Sequence, residues 1–351
     1  MSGGSEEKTV EIENVEEGMK LARDIENRFG GVILPAGTIL TDSKIARLKR
    51  LDYQKAKVFK ESPEELDENM KEFSRKEKFY REEIKRTALL YKKIKFREAI
   101  DEDILDSLYE NAMDLSTKLE ISDLLNMVKG VDEYTYTHLL NVGILSNMMG
   151  NWLDFNQAKL ERLTKAGLLH DVGKSKIPEE ILQKPASLSP EEYELMKEHS
   201  YYGYNIVDKA QFISKETALG VLTHHEYYNG SGYPLNLAGD NIPLFGRIIA
   251  IVDAFDAITS ERIYQQKSSP FTAIEKIQRE NFGYCDPRLK KLFLEKIPNF
   301  FIREKVKLNN GKIGEVVFVS ARSPSTPVVK VEGDYLDLSN STEIEIEEIL
   351  K

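Results

Sequence analysis

The histidines of this 351-residue chain are its most informative side chains, because all of them lie between positions 138 and 225. Proteins use imidazole mainly for metal binding and for proton transfer near neutral pH. Carboxylates accompany the histidines at Asp171, Glu226 and Asp253. These nitrogen and oxygen donors are enough for more than one divalent cation. The sequence therefore predicts one metal cluster with five histidine ligands, namely His138, His170, His199, His224 and His225.

The segment His170-Asp171-Val172-Gly173-Lys174 has the composition expected at the centre of such a cluster. It follows the apolar run AGLL, which is typical of the end of a buried helix, and Gly173 lets the chain turn there. His170 can give one nitrogen to a metal, and Asp171 can bridge two metals with its two oxygens, as two-metal hydrolases require. Lys174 can meet a phosphate as a point charge, with a solvated lysine as the alternative.

A first cation could be held by His138 together with His170, Asp171 and Asp253. His138 lies in EYTYTHLLNVGILSNMMGNWL, which predicts a helix with a broad apolar face. Asp253 follows the apolar run GRIIAIV, which predicts a buried setting. Burying a carboxylate is costly unless it meets a cation, so Asp253 is a candidate ligand.

A second cation could be held by His199, His224 and His225, again with Asp171. Adjacent residues of a helix point in different directions. His224 and His225 can therefore both bind metal only near a helix end or at a bend.

The bulk composition is that of a globular protein with a core, at 41% hydrophobic and 31% charged residues, and the length predicts two or three domains. No apolar run approaches the ~18 residues of a membrane helix, and the start MSGGSEEKTVEIE does not look like a signal peptide. With Cys285 as the one cysteine, these features predict a cytoplasmic protein. The net charge of −10 argues against non-specific DNA binding, although bound metals could still attract an anionic ligand.

The first 61 residues predict a small α/β module. GVILPAGTIL predicts two short strands around Pro35-Ala36-Gly37, and KAKVF predicts another strand. Thr41 or Asp42 could cap a short helix that continues to Arg50. Such a module could sense a signal or dock a signalling partner, or it could be a small stabilising cap, and the sequence leaves both open.

Residues 62–117 predict a long charged helix and a helical connector. Ser62 suits the N-cap of the helix, and Pro63 suits its first position. A 4-3 spacing of apolar residues, interrupted at Glu77 and Thr87, is typical of a coiled coil and so of a homodimer through residues 62–97. One helix packed on the chain's own body would give the same pattern. The apolar positions are Leu66, Met70, Phe73, Tyr80, Ile84, Tyr91 and Ile94.

The rest of the chain predicts a helical domain over 118–300 and a β-rich segment over 301–351. Ser189-Pro190-Glu191-Glu192 combines an N-cap serine, a proline at the first position and a glutamate three residues after the cap, so it predicts a helix start before His199. VKLNNGKIGEVVFV and VVKVEGDYLDL each alternate around a turn, which predicts hairpins. The predicted fold class is mainly α, with a small α/β module before the helical domain and a short β-rich tail after it.

Four of these segments together resemble the HD-GYP family, a branch of the HD-domain metal-dependent phosphohydrolases. They are HDVGK, MKEHSYYGYNIV, HHEYYNGSGYP and IVDAFDAITSERIY, and Gly232-Tyr233-Pro234 is the tripeptide that gives the family its name. The resemblance covers about residues 118–300. It implies a helical HD-type catalytic domain, a centre of two or three iron or manganese ions, and hydrolysis of cyclic di-GMP to pGpG and, in many members, to GMP.

Carried onto this sequence, the resemblance implies that Lys174 contacts the scissile phosphate and that Tyr233 and Arg262 contact the substrate. It also implies a third-metal ligand at Glu133. Five residues before His138 on an ideal helix, Glu133 would point about 140° away, so it reaches the cluster only if the chain turns near Asp132. The alternative is a first-turn acid favoured by the helix dipole. The other implied ligands are His138, His170, Asp171, His199, His224, His225 and Asp253.

The implied mechanism is attack by a hydroxide that bridges two cations, in line with the leaving 3′ oxygen. Cations and Lys174 would take up the charge that develops on the phosphoryl oxygens. Two alternatives remain open from sequence. One is a receptor that binds cyclic di-GMP with little turnover, and the other is a hydrolase of a related cyclic dinucleotide.

Overall fold

The computed structural model describes residues 7–17, 19–26, 32–36, 38–59, 68–97, 99–119, 121, 123–124, 134–260, 269–279, 283–341 and 343–350. These residues form two compact units, one that ends at Phe79 and one that begins at Tyr80. Within the described ranges no helix is both long and apolar enough to cross a membrane. The domain boundaries after residues 61, 117 and 300 stay predictions.

The first unit is a small α/β structure. Strand β1 (Glu7–Glu11) pairs antiparallel with β4 (Lys55–Phe59), and β2 (Ile25–Glu26) pairs antiparallel with β3 (Val32–Leu34). Helix α1 (Asp42–Arg50) begins after Thr41, whose hydroxyl accepts a hydrogen bond from the Lys44 backbone N–H. The elements enclose a core of buried apolar residues: Ile12, Val15, Leu21, Ile25, Leu34, Leu40, Ile45, Leu48, Ala56 and Val58.

One predicted strand of this unit is absent. The sequence predicted strands on both sides of Pro35, but after it the described chain makes only an isolated bridge between Lys20 and Ile39. The apolar alternation around Ile39 still has a physical cause, because Leu40 is fully buried in the core. Leu40 therefore reaches the core through this bridge, without a full strand along the described part of the segment.

Helix α2 (Glu68–Arg97) carries the described part of the apolar seam. Tyr80, Ile84, Tyr91 and Ile94 are all buried within the single chain, so the predicted burial is confirmed for them. The tyrosines contact α4 (Tyr134–Trp152), since the Tyr80 hydroxyl bonds Asn141 and the Tyr91 ring packs edge-on against Tyr136. Leu66 and the side chains of Met70 and Phe73 lie outside the described part of the chain. For the described positions, the helix packs on its own chain.

The second unit is mainly helical, as predicted. Helix α4 is buried on all sides from Thr137 to Gly150, as expected for a helix that is apolar around its whole circumference. In addition to α4, the described helices of this unit include α3 (Glu102–Lys118), α5 (Gln157–Leu169), α6 (Glu179–Leu182), α7 (Pro190–Lys197), α8 (His199–Asp208), α9 (Lys215–Thr223), α10 (Leu244–Thr259), α11 (Pro270–Arg279) and α12 (Pro287–Lys296). Helix α4 packs against α3, α5 and α10, and thus forms the centre of the domain.

The predicted helix start at Ser189 is confirmed. The Ser189 hydroxyl accepts the Glu192 backbone N–H at 3.3 Å, and the Glu192 carboxylate accepts the Ser189 N–H at 2.6 Å. This capping box satisfies two backbone groups that a helix start otherwise leaves without partners. It fixes α7 and thereby the approach of the chain to His199.

The C-terminal segment is a five-stranded antiparallel sheet in the order β8 (Asp334–Asp337), β7 (Ser323–Val331), β6 (Ile313–Ser320), β5 (Lys305–Leu308) and β9 (Ile346–Leu350). The two predicted hairpins are confirmed, with turns at Asn310-Gly311 and Glu332-Gly333. Gly311, Glu332 and Gly333 have positive φ, as tight hairpin turns require.

Candidate metal centre

The candidate ligands come mostly from helix ends, which is why residues far apart in sequence can converge. His170 and Asp171 directly follow α5, and His199 is the first residue of α8. His224 and His225 follow the end of α9, which is the condition under which both rings can face one point. His138 lies near the start of α4, and Asp253 lies within α10.

Close backbone packing brings the first two of these segments together. Asp171 leads into a 3-10 turn over Val172–Lys176, and this turn packs on the start of α8. A Cβ on Gly173 would lie 1.9 Å from the His199 carbonyl oxygen and 2.4 Å from the Gly203 nitrogen. Glycine is therefore required for the turn to approach α8, and this approach brings Asp171 next to His199.

Asp171 is the centre of the cluster, and its two oxygens face two different groups of ligands. Its Oδ1 lies 3.2 Å from His199 Nε2 and 3.8 Å from His224 Nε2. Its Oδ2 lies 3.5 Å from His170 Nε2 and 3.8 Å from His138 Nε2. Donor atoms of Asp171, His199, His224 and His225 lie within 4.8 Å of one another, as do those of His138, His170 and Asp171.

Asp253 joins the group that contains His138. Its Oδ1 lies 3.1 Å from His138 Nε2 and 3.9 Å from His170 Nε2. The structure thus brings together every described residue that the sequence suggested as a ligand. Glu133 and Arg262 lie outside the described residues.

The hydrogen bonds at Nδ1 determine which nitrogen of each ring can bind a cation. The Nδ1 atoms of His170, His199 and His224 lie 2.7–2.8 Å from the backbone carbonyls of Gly167, Met196 and Val221. A carbonyl only accepts, so each Nδ1 carries a proton, and each Nε2 of the neutral ring carries a lone pair. The lone pairs therefore point into the cluster.

The Nε2 atoms of the four buried rings face one another in pairs at short range. His170 Nε2 lies 3.2 Å from His138 Nε2, and His199 Nε2 lies 3.4 Å from His224 Nε2. Asp171 Oδ1 is buried and finds no hydrogen-bond partner among the described residues. The facing lone pairs of His199 and His224 and an unpaired buried carboxylate oxygen are costly by themselves, and a cation bound there removes the cost. The His/Asp clusters on the two sides of Asp171 therefore fit divalent metal binding.

The protonation states are consistent with ligands that are ready for metal. Burial, with neighbouring imidazoles, holds the pKa of His224 well below its ordinary value and lowers the pKa of His225 to about 3. Burial would raise the pKa of Asp171, but Lys174 and His170 beside it hold that pKa well below its usual range. Without a cation, hydrogen bonds to Asp253 and Asp256 outweigh burial and raise the pKa of His138 to about 10. A positive charge is therefore favoured at His138, where a bound cation can replace the second proton of the ring.

Two residues that the sequence did not single out support His138 on its Nδ1 side, which faces away from the other candidate ligands. Its Nδ1 lies 2.7 Å from Asp256 Oδ2, and Asn141 donates an N–H to Asp256 Oδ1, also at 2.7 Å. Both residues are buried polar groups three positions after a candidate ligand, Asp256 after Asp253 and Asn141 after His138. A polar residue three positions after a candidate ligand, on a largely apolar helix, was the sequence signal that could have identified them.

Lys174 and Tyr233 lie at the rim of the cluster. The Lys174 ammonium bonds Asp171 Oδ2 and remains 31% exposed, so a ligand can reach it. The Tyr233 ring lies 4.8 Å from the His225 ring and 6.3 Å from the His199 ring. Both side chains are therefore next to the histidines.

Glu226 holds the loop that carries Tyr233 rather than facing the cluster. Its buried carboxylate accepts backbone N–H groups from Leu235 at 2.6 Å and from Leu237 at 3.0 Å. A Cβ on Gly232 would lie 2.2 Å from the Tyr227 nitrogen, so the loop needs glycine to lie across the chain after His225. The loop is thereby fixed against the histidine pair.

Comparison with known families agrees with this geometry. Residues 120–289 match the family described as HD domain, a range that contains every described candidate ligand. This part of the chain is an HD-GYP domain.

Named relatives of the HD-GYP domain act on cyclic dinucleotides. The chain is 33% identical over 264 residues to a cyclic di-GMP phosphodiesterase of Pseudomonas aeruginosa. The aligned region covers 71% of this chain and 63% of that protein. It is 35% identical over 193 residues to a cyclic di-GMP phosphodiesterase of Thermotoga maritima, covering 53% and 52%. It is 33% identical over 184 residues to a 3′3′-cGAMP-specific phosphodiesterase of Vibrio cholerae, covering 51% and 35%. The chain therefore spans about one third to under two thirds of the length of these relatives.

A solved structure shares the fold. An HDG"Y"P protein from Bdellovibrio bacteriovorus superposes with a TM-score of 0.52 at 15% identity, over 82% of this chain and 98% of that one. At this identity the likeness shows the fold alone.

Proposed function

We propose that this chain is a metal-dependent phosphodiesterase that hydrolyses cyclic di-GMP to the linear dinucleotide pGpG, with GMP as a further product. The observation that carries the proposal is the pair of facing Nε2 contacts on the two sides of Asp171. A protein that only bound a nucleotide would not need two places prepared for cations at the cost of burying this carboxylate. The names of the relatives supply the substrate class.

Two ions are assigned to the two sides of Asp171. One would be held by His138, His170 and Asp253, and the other by His199, His224 and His225, with Asp171 shared. Imidazole and carboxylate ligands without sulfur suit iron and manganese. A third ion would need Glu133. When bound, two such cations lower the pKa of a water between them and neutralise charge on phosphoryl oxygens.

The chain's own residues would bind and orient the substrate. The Lys174 ammonium can turn from Asp171 to a phosphoryl oxygen, where it offsets the charge that develops during attack. Tyr233 offers a ring face beside His225 for a base or ribose. Arg262 would grip a phosphate with its planar fork of N–H groups. Cys285 is buried, and burial raises the pKa of its thiol to about 11, which disfavours a covalent route through it.

A related cyclic dinucleotide is the second candidate substrate, because the relatives include 3′3′-cGAMP-specific phosphodiesterases at 33% and 34% identity. The two substrates share the phosphodiester ring and differ in one base. Parallel assays with cyclic di-GMP and 3′3′-cGAMP, compared by kcat/KM, decide between them.

The activity test uses protein purified without oxygen and supplied with Mn²⁺ or Fe²⁺. We expect cyclic di-GMP to disappear and pGpG to form, with chromatography resolving pGpG from GMP. Asp171→Ala is the matched control, because it removes the shared ligand and should abolish turnover. Tight binding of cyclic di-GMP without turnover under either metal would instead identify a receptor.

Self-association through residues 62–97, with the N-terminal unit as the site of a signalling partner, is part of the proposal. Because Tyr80, Ile84, Tyr91 and Ile94 pack within one chain, a second copy must use another face of α2. Within the described part of that helix, Leu89 is 49% exposed and Phe96 is 81% exposed. These two residues, seven apart, supply the apolar contact on that face.

A further inference from the structure

A chain of buried hydrogen bonds joins the long helix α2 to the candidate metal centre. It begins at the Tyr80 hydroxyl, which lies 2.5 Å from Asn141 Oδ1. Asn141 Nδ2 lies 2.7 Å from Asp256 Oδ1, and Asp256 Oδ2 lies 2.7 Å from His138 Nδ1. Tyr80, Asn141 and Asp256 are each 0% exposed.

The direction of every bond in this chain follows from chemistry. The Asp256 carboxylate only accepts, so His138 Nδ1 and Asn141 Nδ2 must both donate to it. The Asn141 carbonyl oxygen is then turned away from Asp256, and the Tyr80 hydroxyl donates to it. One arrangement of protons therefore satisfies all of these contacts.

The last bond controls how His138 faces the cluster. In the neutral ring that binds a cation, a proton held at Nδ1 by Asp256 leaves the lone pair on Nε2, the atom that lies 3.1 Å from Asp253 Oδ1 and 3.2 Å from His170 Nε2. Partners of this kind fix the tautomer and the ring plane of metal-binding histidines. In His170, His199 and His224, the Nδ1 proton is instead accepted by a backbone carbonyl three residues earlier in the same segment.

His138 differs from those three because its support extends to two other helices. Asp256 is on α10, Asn141 is one turn further along α4, and Tyr80 is on α2. A buried carboxylate, a buried amide and a buried hydroxyl each cost free energy unless paired, so they hold one another in place. The orientation of this ligand thus depends on where α2 lies against α4.

We propose that Tyr80, Asn141 and Asp256 are positioning residues that set the affinity of the metal ion held by His138. The proposal rests on the metal-dependent function proposed above. It assigns a role in metal binding to α2, a helix that lies before the HD domain match at residue 120. The ion on the side of His199, His224 and His225 does not depend on this chain.

The test is calorimetric titration with Mn²⁺ of protein stripped of metal. Asp256→Asn should raise the Kd of one ion by about 10–100-fold and leave the other within about twofold. Tyr80→Phe removes only a hydroxyl, and the loss of one buried hydrogen bond should raise the same Kd by about threefold to tenfold. The double variant should be no worse than Asp256→Asn alone, because the effect of Tyr80 passes through Asp256.

A matched control removes a different buried tyrosine hydroxyl. The Tyr109 hydroxyl bonds Gln157, the first residue of α5, and is separated from His170 by the length of that helix, roughly 20 Å. Tyr109→Phe should leave both affinities within about twofold of the parent. A second control places Tyr80→Phe in a His138→Ala background, where the affinity of the remaining ion should not change.

The outcomes separate the two proposals. A parent protein that binds no Mn²⁺ overturns the proposed function and the positioning role together. A parent that binds two ions, with Tyr80→Phe equal to the parent at both, overturns the positioning role alone. Equal weakening of both ions, or additive effects of Tyr80→Phe and Asp256→Asn, would show a general loss of stability instead. If Asp256→Asn fails to fold, the test rests on the Mn²⁺ affinities of Tyr80→Phe in the parent and in the His138→Ala background. The positioning role requires weaker binding of one ion in the first and no change in the second.

Discussion

Replacing Gly173 by alanine tests whether backbone packing sets the spacing of the candidate ligands. The added Cβ would lie 1.9 Å from the His199 carbonyl oxygen, whereas ordinary contacts begin near 3.4 Å, a shortfall of about 1.5 Å. Both obstructing groups, the His199 carbonyl and the Gly203 nitrogen, are backbone atoms and cannot rotate away. The turn after Asp171 must therefore move away from α8.

This movement has a calculable effect on the ligand spacing. Asp171 Oδ1 and His199 Nε2 are now 3.2 Å apart. Two donors that each lie about 2.2 Å from one ion can be separated by at most about 4.4 Å. A displacement of about 1.5 Å takes the pair beyond this limit. We expect Gly173→Ala to raise the Kd of one metal ion by about 100-fold and to lower kcat by about 10²-fold. We also expect it to lower the free energy of unfolding by about 1–3 kcal/mol.

Gly150→Ala is the control for overpacking. Its Cβ would lie 2.7 Å from Leu160 Cδ2, which is the end of a flexible side chain in the contact between α4 and α5. We expect this variant to keep its metals and rate, measured by Mn²⁺ titration, by steady-state kinetics and by thermal unfolding. If Gly173→Ala folds and binds both ions as tightly as the parent, the packing does not set the ligand spacing.

Three further predictions concern Lys174, Glu133 and the exposed face of α2. Lys174→Ala should keep its full metal content but lose about 10²–10³-fold in kcat, because one preorganised charge is removed, and a variant as fast as the parent would make Lys174 a surface residue. Glu133→Ala should lower metal content by about one ion per chain while two remain, measured by elemental analysis, and an unchanged ion count would favour the first-turn acid. Leu89→Asp with Phe96→Asp should halve the mass of a dimer in light scattering without loss of metal, whereas a parent that is already a monomer at high concentration would end the dimer prediction.

The described residues that the sequence suggested as ligands lie together in the structure, and the confinement of all histidines to one stretch was the signal for this. The position of Asp171 beside His170 made convergence of the ligands there predictable. The distances between the ligand atoms could not be predicted from the sequence. Asp256 and Asn141 were missed because a buried polar residue on an apolar helix looks the same in sequence whether it supports a ligand or pairs locally. The hydrogen bond from His138 to Asp256 shows that Asp256 supports a ligand. It joins residues 118 positions apart, so no local sequence pattern could predict it.

The apolar seam of α2 shows the same limit of sequence patterns. Tyr80, Ile84, Tyr91 and Ile94 repeat as in a coiled coil, and the prediction of burial was correct. The pattern could not identify the partner, because α4 of the same chain and a second copy select the same spacing. Likewise, the segment after Pro35 predicted a strand where the described chain makes one bridge, because an apolar residue such as Leu40 is needed for burial whether or not a full strand forms.

The central claim is that Asp171 is shared by two metal ions, and the number of ions per chain tests it most directly. The measurement is elemental analysis of protein purified without oxygen, for the parent, Asp171→Ala and His138→Ala. We predict at least two ions of iron or manganese in the parent, a loss of more than one ion in Asp171→Ala, and a loss of about one ion in His138→Ala. An Asp171→Ala protein that folds and keeps the parent's full complement of metal would contradict the account.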